Sequence, residues 1–355
     1  MRAALLALLS LLVLAIPARA ADETLGPLPG ATGLSAYGGW VAYSVPTGIG
    51  AYTLRAWHEG VVADVGIPSR GGPFDVDVGP DTSGRPTAIY SRCQSDLTDT
   101  RQPPRGCDLF AVTLGGGHER RLTISSARYS EFAPSIWRGA VAFGRLASEH
   151  RRAEVILSRD RKISRLGRGS IGRCRARECR VDLPTAWPEQ TDLGSRAVAY
   201  LWHLSGGEVA GDGVAFELRA ARLDGSRARI AQNGFVSATC DFARPFSPNV
   251  SGELVLYGYS RGEECESGTS ESFRRFDLRS ARRARVGWSA PPYIGSLAWD
   301  GDDLYWLRRA RAAADCDLAG GPATLSSSAP ETSRFERSRA ARPARPRSKQ
   351  SWRRG

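Results

Sequence analysis

Six short apolar runs recur along this chain at nearly even intervals, and that recurrence restricts the fold more than any other feature. They are Trp40-Val41-Ala42-Tyr43, Thr87-Ala88-Ile89-Tyr90, Ala140-Val141-Ala142-Phe143, Ala197-Val198-Ala199-Tyr200, Leu254-Val255-Leu256-Tyr257 and Asp303-Leu304-Tyr305-Trp306. Their aromatic ends lie 47, 53, 57, 57 and 49 residues apart. A period near fifty points to a propeller or a solenoid. Each run is continuous rather than alternating, as a strand buried on both faces requires.

Four observations favour the propeller over a solenoid or a pair of β-sandwiches. Turn-forming residues precede most runs, as in Gly79-Pro80-Asp81-Thr82-Ser83-Gly84, Asn249-Val250-Ser251-Gly252 and Asp300-Gly301-Asp302. A strand-like segment follows after a variable loop: residues 52–57, 108–112, 154–157 and 216–220. A basic strand with one wet face then closes the unit, at residues 120–124, 227–230 and 283–286. Beyond the first twenty residues, no stretch of 12 keeps a helical apolar period. The runs are therefore expected on the innermost strand of each blade, between neighbouring blades.

The unit from Gly79 to Thr123, with Gly-Pro-Asp, Thr-Ala-Ile-Tyr, Cys-Asp-Leu-Phe and Arg-Arg-Leu-Thr in order, resembles the TolB-type, WD-like propeller repeat. The likeness is partial at Ala133–Trp137 and Phe246–Asn249 and rests on run and spacing in the other units. It covers residues 34–325. It implies an all-β, six-bladed β-propeller of four-stranded blades, commonly a binding or scaffolding protein. Only Asp22–Gly33 separates the leader from the first run, so the N-terminal domain of TolB has no counterpart expected here. That stretch is instead expected to help complete the last blade.

Residues 1–20 read as a signal peptide: Arg2, an apolar stretch from Ala3 to Ile16, and Ala18-Arg19-Ala20 as a cleavage site. The apolar stretch is short for a membrane span, so no transmembrane segment is expected after cleavage. The expected domains are therefore 1–20 leader, 21–325 propeller and 326–355 a disordered Arg/Pro/Ser-rich tail. The formal charge is +12, but residues 331–355 carry +7 and the leader +2, leaving about +3 on the body. That distribution argues against a nucleic-acid surface. The tail reads as solvated, with contact to anionic envelope surfaces as the functional alternative.

Export to an extracellular or periplasmic compartment makes the seven cysteines candidates for disulfides. Cys93 and Cys107 enclose a polar loop, and Cys174 and Cys179 bracket four residues. Cys240 and Cys265 are further candidates; the pairing among them and Cys316 stays open, and the odd count leaves one thiol over. The spacing of Cys93, Cys107, Cys174 and Cys179 does not suit zinc.

Motifs for chemistry are sparse, and neither a cofactor nor a catalytic set is expected. Gly167-Arg168-Gly169-Ser170-Ile171-Gly172 matches a dinucleotide fingerprint, but no apolar helix face follows it. His58, His118, His150 and His203 occupy loop-like positions without metal spacing. Carboxylates supply the one enzymatic alternative: Asp75, Asp77, Asp192, Asp300, Asp302 and Asp303 lie just ahead of apolar runs. Two of them converging on a channel would make a secreted glycoside hydrolase; as turn formers they would not. The reading favoured by the residues is an exported, non-catalytic propeller that binds an unknown protein or glycan. Its variable loops, residues 94–106, 205–213 and 262–271, are the expected recognition surface.

Overall fold

The computed structural model describes residues 23–27, 32–48, 50–93, 103–147, 153–168, 185–205, 214–237, 241–262, 270–286, 294–301, 303–308 and 334–339. Among them all regular structure is antiparallel β, and no helix is long and apolar enough to cross a membrane. Strand β1 (Glu23–Pro27) comes first. A four-stranded meander follows, β2 (Thr32–Tyr37), β3 (Trp40–Gly48), β4 (Ala51–His58) and β5 (Val61–Asp64). The second sheet is β6 (Asp77–Pro80), β7 (Pro86–Cys93), β8 (Cys107–Thr113) and β9 (Arg120–Arg121). The third is β10 (Tyr129–Trp137), β11 (Ala140–Ala147), β12 (Glu154–Arg159) and β13 (Lys162–Arg168).

Eight strands then form one continuous sheet: β14 (Thr185–Leu193), β15 (Ala197–Ser205), β16 (Val214–Arg222), β17 (Arg229–Val236), β18 (Phe242–Ser251), β19 (Leu254–Gly262), β20 (Ser270–Asp277) and β21 (Arg282–Arg285). Its two halves meet through only two residue pairs, Phe235 with Ala243 and Val236 with Phe242. The last sheet has the order β1, β24 (Arg334–Arg339), β23 (Asp303–Arg308), β22 (Ile294–Asp300). The expectation that the stretch ahead of Gly33 joins the last sheet is met by β1. Residues 334–339, read from composition as disordered tail, instead form β24 between β1 and β23. Backbone pairing on both sides supplies order where the composition offers no core.

The apolar runs lie on β3, β7, β11, β15, β19 and β23, the second strand of each meander rather than the first. This corrects their expected innermost placement. The first strands are β2, β6, β10, β14, β18 and β22, and β6, β18 and β22 end in residues that composition reads as turns. Two-sided burial of the runs is observed. Val41 and Tyr43 pack with Ala298, Tyr305 and Leu307 of the last sheet, while Ala42 packs with Val78, Ala88 and Tyr90 of the second. Ile89 meets Ile136, Val141 and Phe143, and Ala142 joins Val198 and Tyr200. Ala199 meets Val255 and Tyr257, and Leu256 meets Leu297, Leu304 and Trp306. Burying each of the larger side chains contributes about 1.5–3 kcal/mol.

The third strands fall where the strand-like segments predict them, and the basic fourth strands are mainly exposed. A register shift interrupts the pairing of first with second strand at Thr32/Ser35, Phe132/Ser135, Pro188/Gln190, Phe246/Asn249 and Ile294/Ser296. Such bulges re-aim the side chains that follow them.

Candidate functional site

Polar residues of the first strands bind each of these strands to the next. Ser35 Oγ donates to Asp77 Oδ1 at 2.7 Å, and the Ile136 amide donates to Asp77 Oδ2 at 2.9 Å. Thr191 Oγ1 donates to the Ala133 carbonyl at 2.7 Å and lies 2.9 Å from Ser135 Oγ. The Val250 amide donates to Asp192 Oδ2, and the Ser247 amide to Gln190 Oε1 at 2.9 Å. The Trp299 amide donates to Asn249 Oδ1 at 2.9 Å. From the last sheet, Ser296 Oγ and Asp300 Oδ2 accept the amides of Leu34 and Gly39 in the first, at 2.9 and 2.7 Å.

Asp77, Asp192 and Asp300 thereby meet around one cavity of about 250 Å³, which first strands of all these sheets line. The sequence singled out these three, and the structure brings them together. Asp75 does different work: it accepts from Ser91 and the Ala133 amide, beside Arg70. Asp303 pairs with Asp300 across β22–β23, and Asp302 lies outside the described residues.

Burial pushes the Asp77 carboxyl up to about 6, against the hydrogen bonds that favour its ionised form. Asp192 is raised well above the usual carboxylate range, first by burial and then by the Asp77 charge. The pair repels, as two catalytic carboxylates would. However, both oxygens of Asp77 already accept hydrogen bonds, and Asp192 holds the Val250 amide. Their chemistry is that of a brace between successive first strands.

A second cavity of about 540 Å³ opens beside the first and shares Trp137, Leu193 and Ser195 with it. It is a groove between the third sheet and the start of the eight-stranded one. Buried Ala140 and Leu193, with half-buried Trp137 and Leu223, supply the apolar part of a mixed lining that also includes Ser195. Arg138, Arg159 and Arg196, all exposed, stand around it. Arg159 Nε pairs with Asp160 at 3.3 Å. The side chains of Arg138 and Arg196 have no ion-pair or hydrogen-bond partner among the described residues. Nothing in the sequence reading singled out this groove. Its signal, an arginine in each of two tight turns following a first strand, is hidden in a chain whose 49 basic residues are nearly all Arg.

The histidines do not assemble a triad among the described residues. His203 lies within β15, not a loop, with its ring stacked on Trp187 at 4.0 Å and edge-on to Phe216 at 5.3 Å. Burial pushes its imidazole down to about 4, so the ring is neutral near pH 7. Glu189 Oε2 is 4.0 Å from it and Glu189 pairs with Arg244. His58 is also on a strand, stacked on Trp40 at 4.3 Å. His118 lies between β8 and β9, and His150 falls outside the described residues.

Cys93 and Cys107 are disulfide-bonded across the paired ends of β7 and β8. Cys174, Cys179, Cys240, Cys265 and Cys316 lie outside the described residues, as do the leader and most of the three loops expected to carry recognition. Gly167 and Arg168 of the dinucleotide-like motif end β13, and its remainder is outside them too. Among the described residues no group of three or more His, Cys, Asp or Glu could hold a metal ion.

No protein-family model matches the chain, and no curated protein matches it. Solved structures show a distant similarity. TolB from Acinetobacter baumannii is 11% identical over 85% of this chain and 64% of its own, with a TM-score of 0.42. Putative TolB from Agrobacterium tumefaciens is 14% identical over 55% and 62%, with a TM-score of 0.35. An oligogalacturonate lyase in complex with manganese is 12% identical over 88% and 77%, with a TM-score of 0.41. The chain spans less than two thirds of either TolB structure.

Proposed function

We propose that the chain is an exported, non-catalytic six-bladed β-propeller that acts as a binding platform. The observation that carries the non-catalytic reading is the use of Asp77 and Asp192 as braces: each holds a backbone amide of the next first strand, β10 and β18. A hydrolase on these groups would need one carboxyl free to protonate a leaving group and its partner free toward the substrate. The test is turnover of a panel of polysaccharides by the purified protein. No release of reducing ends is expected; release that disappears in Asp77→Asn would establish the hydrolase instead.

Ring closure is part of the same proposal. It draws support from the amides of Leu34 and Gly39 bonded to Ser296 and Asp300, and from Val41 and Tyr43 packed on Tyr305 and Leu307. Deleting residues 21–33 is expected to lower the melting temperature markedly, and an unchanged transition would argue for an open array. Export rests on the leader and on the Cys93–Cys107 bond. N-terminal sequencing of the secreted protein, expected to begin near Ala21, tests it.

A further inference from the structure

The groove beside the central cavity combines two features that surface arginines do not ordinarily share. It is concave, and its lining is mixed: Trp137, Ala140, Leu193 and Leu223 supply apolar surface beside Gly194 and Ser195. Two guanidiniums on its rim, Arg138 and Arg196, have no partner among the described residues. They are held on separate tight turns, between β10 and β11 and between β14 and β15. Arg138 itself has φ of +48° and is followed by Gly139 at +81°. The turn fixes the base of that side chain before any ligand arrives, which reduces the ordering cost of binding.

Charge and shape together narrow the occupant. Asp160 pairs with Arg159, leaving two positive charges without a partner among the described residues. A phosphate monoester carries about −1.5 to −2 at neutral pH, whereas one carboxylate carries half of that. The planar guanidinium fork matches phosphate oxygens in two-point contact. The volume, about 540 Å³, falls within the range of small-molecule sites. A flat protein interface needs a far larger contact area.

We propose that this groove binds a small organic phosphate of the sugar-phosphate class. The phosphoryl group sits between Arg138 and Arg196, and the carbon skeleton lies on Trp137 and Leu193. The inference rests on the binding-platform reading and gives that platform a ligand.

Isothermal titration of the full chain with hexose phosphates, inorganic phosphate, glucose and glucuronate tests it. Hexose phosphates are expected to bind more tightly than inorganic phosphate or glucuronate, with glucose silent. Affinity should fall with added salt. Arg138→Asn, which tolerates the left-handed backbone there, and Arg196→Gln should each weaken binding about tenfold or more. Both residues are exposed, so unchanged unfolding curves will show that the variants fold. No binding of any hexose phosphate, binding equal to that of inorganic phosphate, tighter binding of glucuronate, or affinity unmoved by both variants would each overturn the assignment. Those failures leave the platform reading intact. Release of inorganic phosphate from a bound hexose phosphate would do the reverse, keeping the groove and removing the non-catalytic reading.

Discussion

The central cavity and the groove beside it share a wall of Trp137, Leu193 and Ser195, yet they use charge in opposite ways. In the cavity the charged groups are carboxylates, and backbone amides of neighbouring first strands hold them. In the groove they are guanidiniums on turns, and two of them have no partner among the described residues. A charge that satisfies a buried backbone amide serves stability, since removing it leaves a donor unpaired. A charge without a partner beside a concave, partly apolar lining is available to a ligand. The difference separates the part of this molecule that keeps it folded from the part that can recognise something.

Four experiments sharpen or break that contrast. The largest effect is expected where the sheets approach most closely. A Cβ built on Gly79 would lie 1.9 Å from the Ile136 carbonyl oxygen, so β6 and β10 must separate to admit it. Gly79→Ala should cost about 3–5 kcal/mol in urea unfolding. Asp77→Ala strands the Ile136 amide and the Ser35 hydroxyl, and should cost about 2–4 kcal/mol. Asp77→Asn, which keeps one acceptor, should cost less.

The third effect is a pH slope. A carboxyl whose pKa is raised on folding favours the folded state fully below its unfolded value, 3.8 for Asp77, and loses that contribution as pH rises through about 6. Stability contributed by this group should therefore fall between pH 4 and pH 6. His203, lowered to about 4, acts with the opposite sign: its contribution is present above 6.5 and is lost as pH falls through about 4. The comparison of Asp77→Asn with the parent isolates the first effect. Removing this titrating carboxyl should flatten the slope between pH 4 and pH 6, and a parallel pair of curves would show that Asp77 contributes no pH dependence to stability. The smallest effect belongs to the groove: Arg138→Asn should shift unfolding by less than about 0.5 kcal/mol. A loss comparable to that of Asp77→Ala would mean that Arg138 is structural after all.

The apolar second strands were legible because Val41, Ala42 and Tyr43, like their counterparts, are buried from both sides and so lose all alternation. The first strands were not. Gly79-Pro80 and Asn249-Val250-Ser251 read as turns because they are polar and small, yet β6 and β18 end in them. Their polarity comes from bracing the next first strand, and in Gly79 from having no room for a side chain. A recurrent Ser, Thr or Asn a few residues ahead of a run, at Ser35, Ser135, Thr191, Asn249 and Ser296, was the overlooked signal. Composition also concealed β24, whose order comes from backbone pairing with β1 and β23. The acidic half of the cavity was visible as aspartates ahead of the runs. The groove was not, because two meaningful arginines look like all the others.

The pairing of β1 with β24 joins the first described strand to the last. During synthesis Glu23–Pro27 emerges from the ribosome long before Arg334–Arg339 exists, so its hydrogen-bond partner is absent while the strands between them are made. Every other sheet can be assembled from residues that follow one another closely, but this one waits for the last of its strands. Completion of this sheet is therefore gated by synthesis of Arg334–Arg339. The entropy of joining such distant segments grows only logarithmically with the length between them, so the delay is one of timing rather than of affordability.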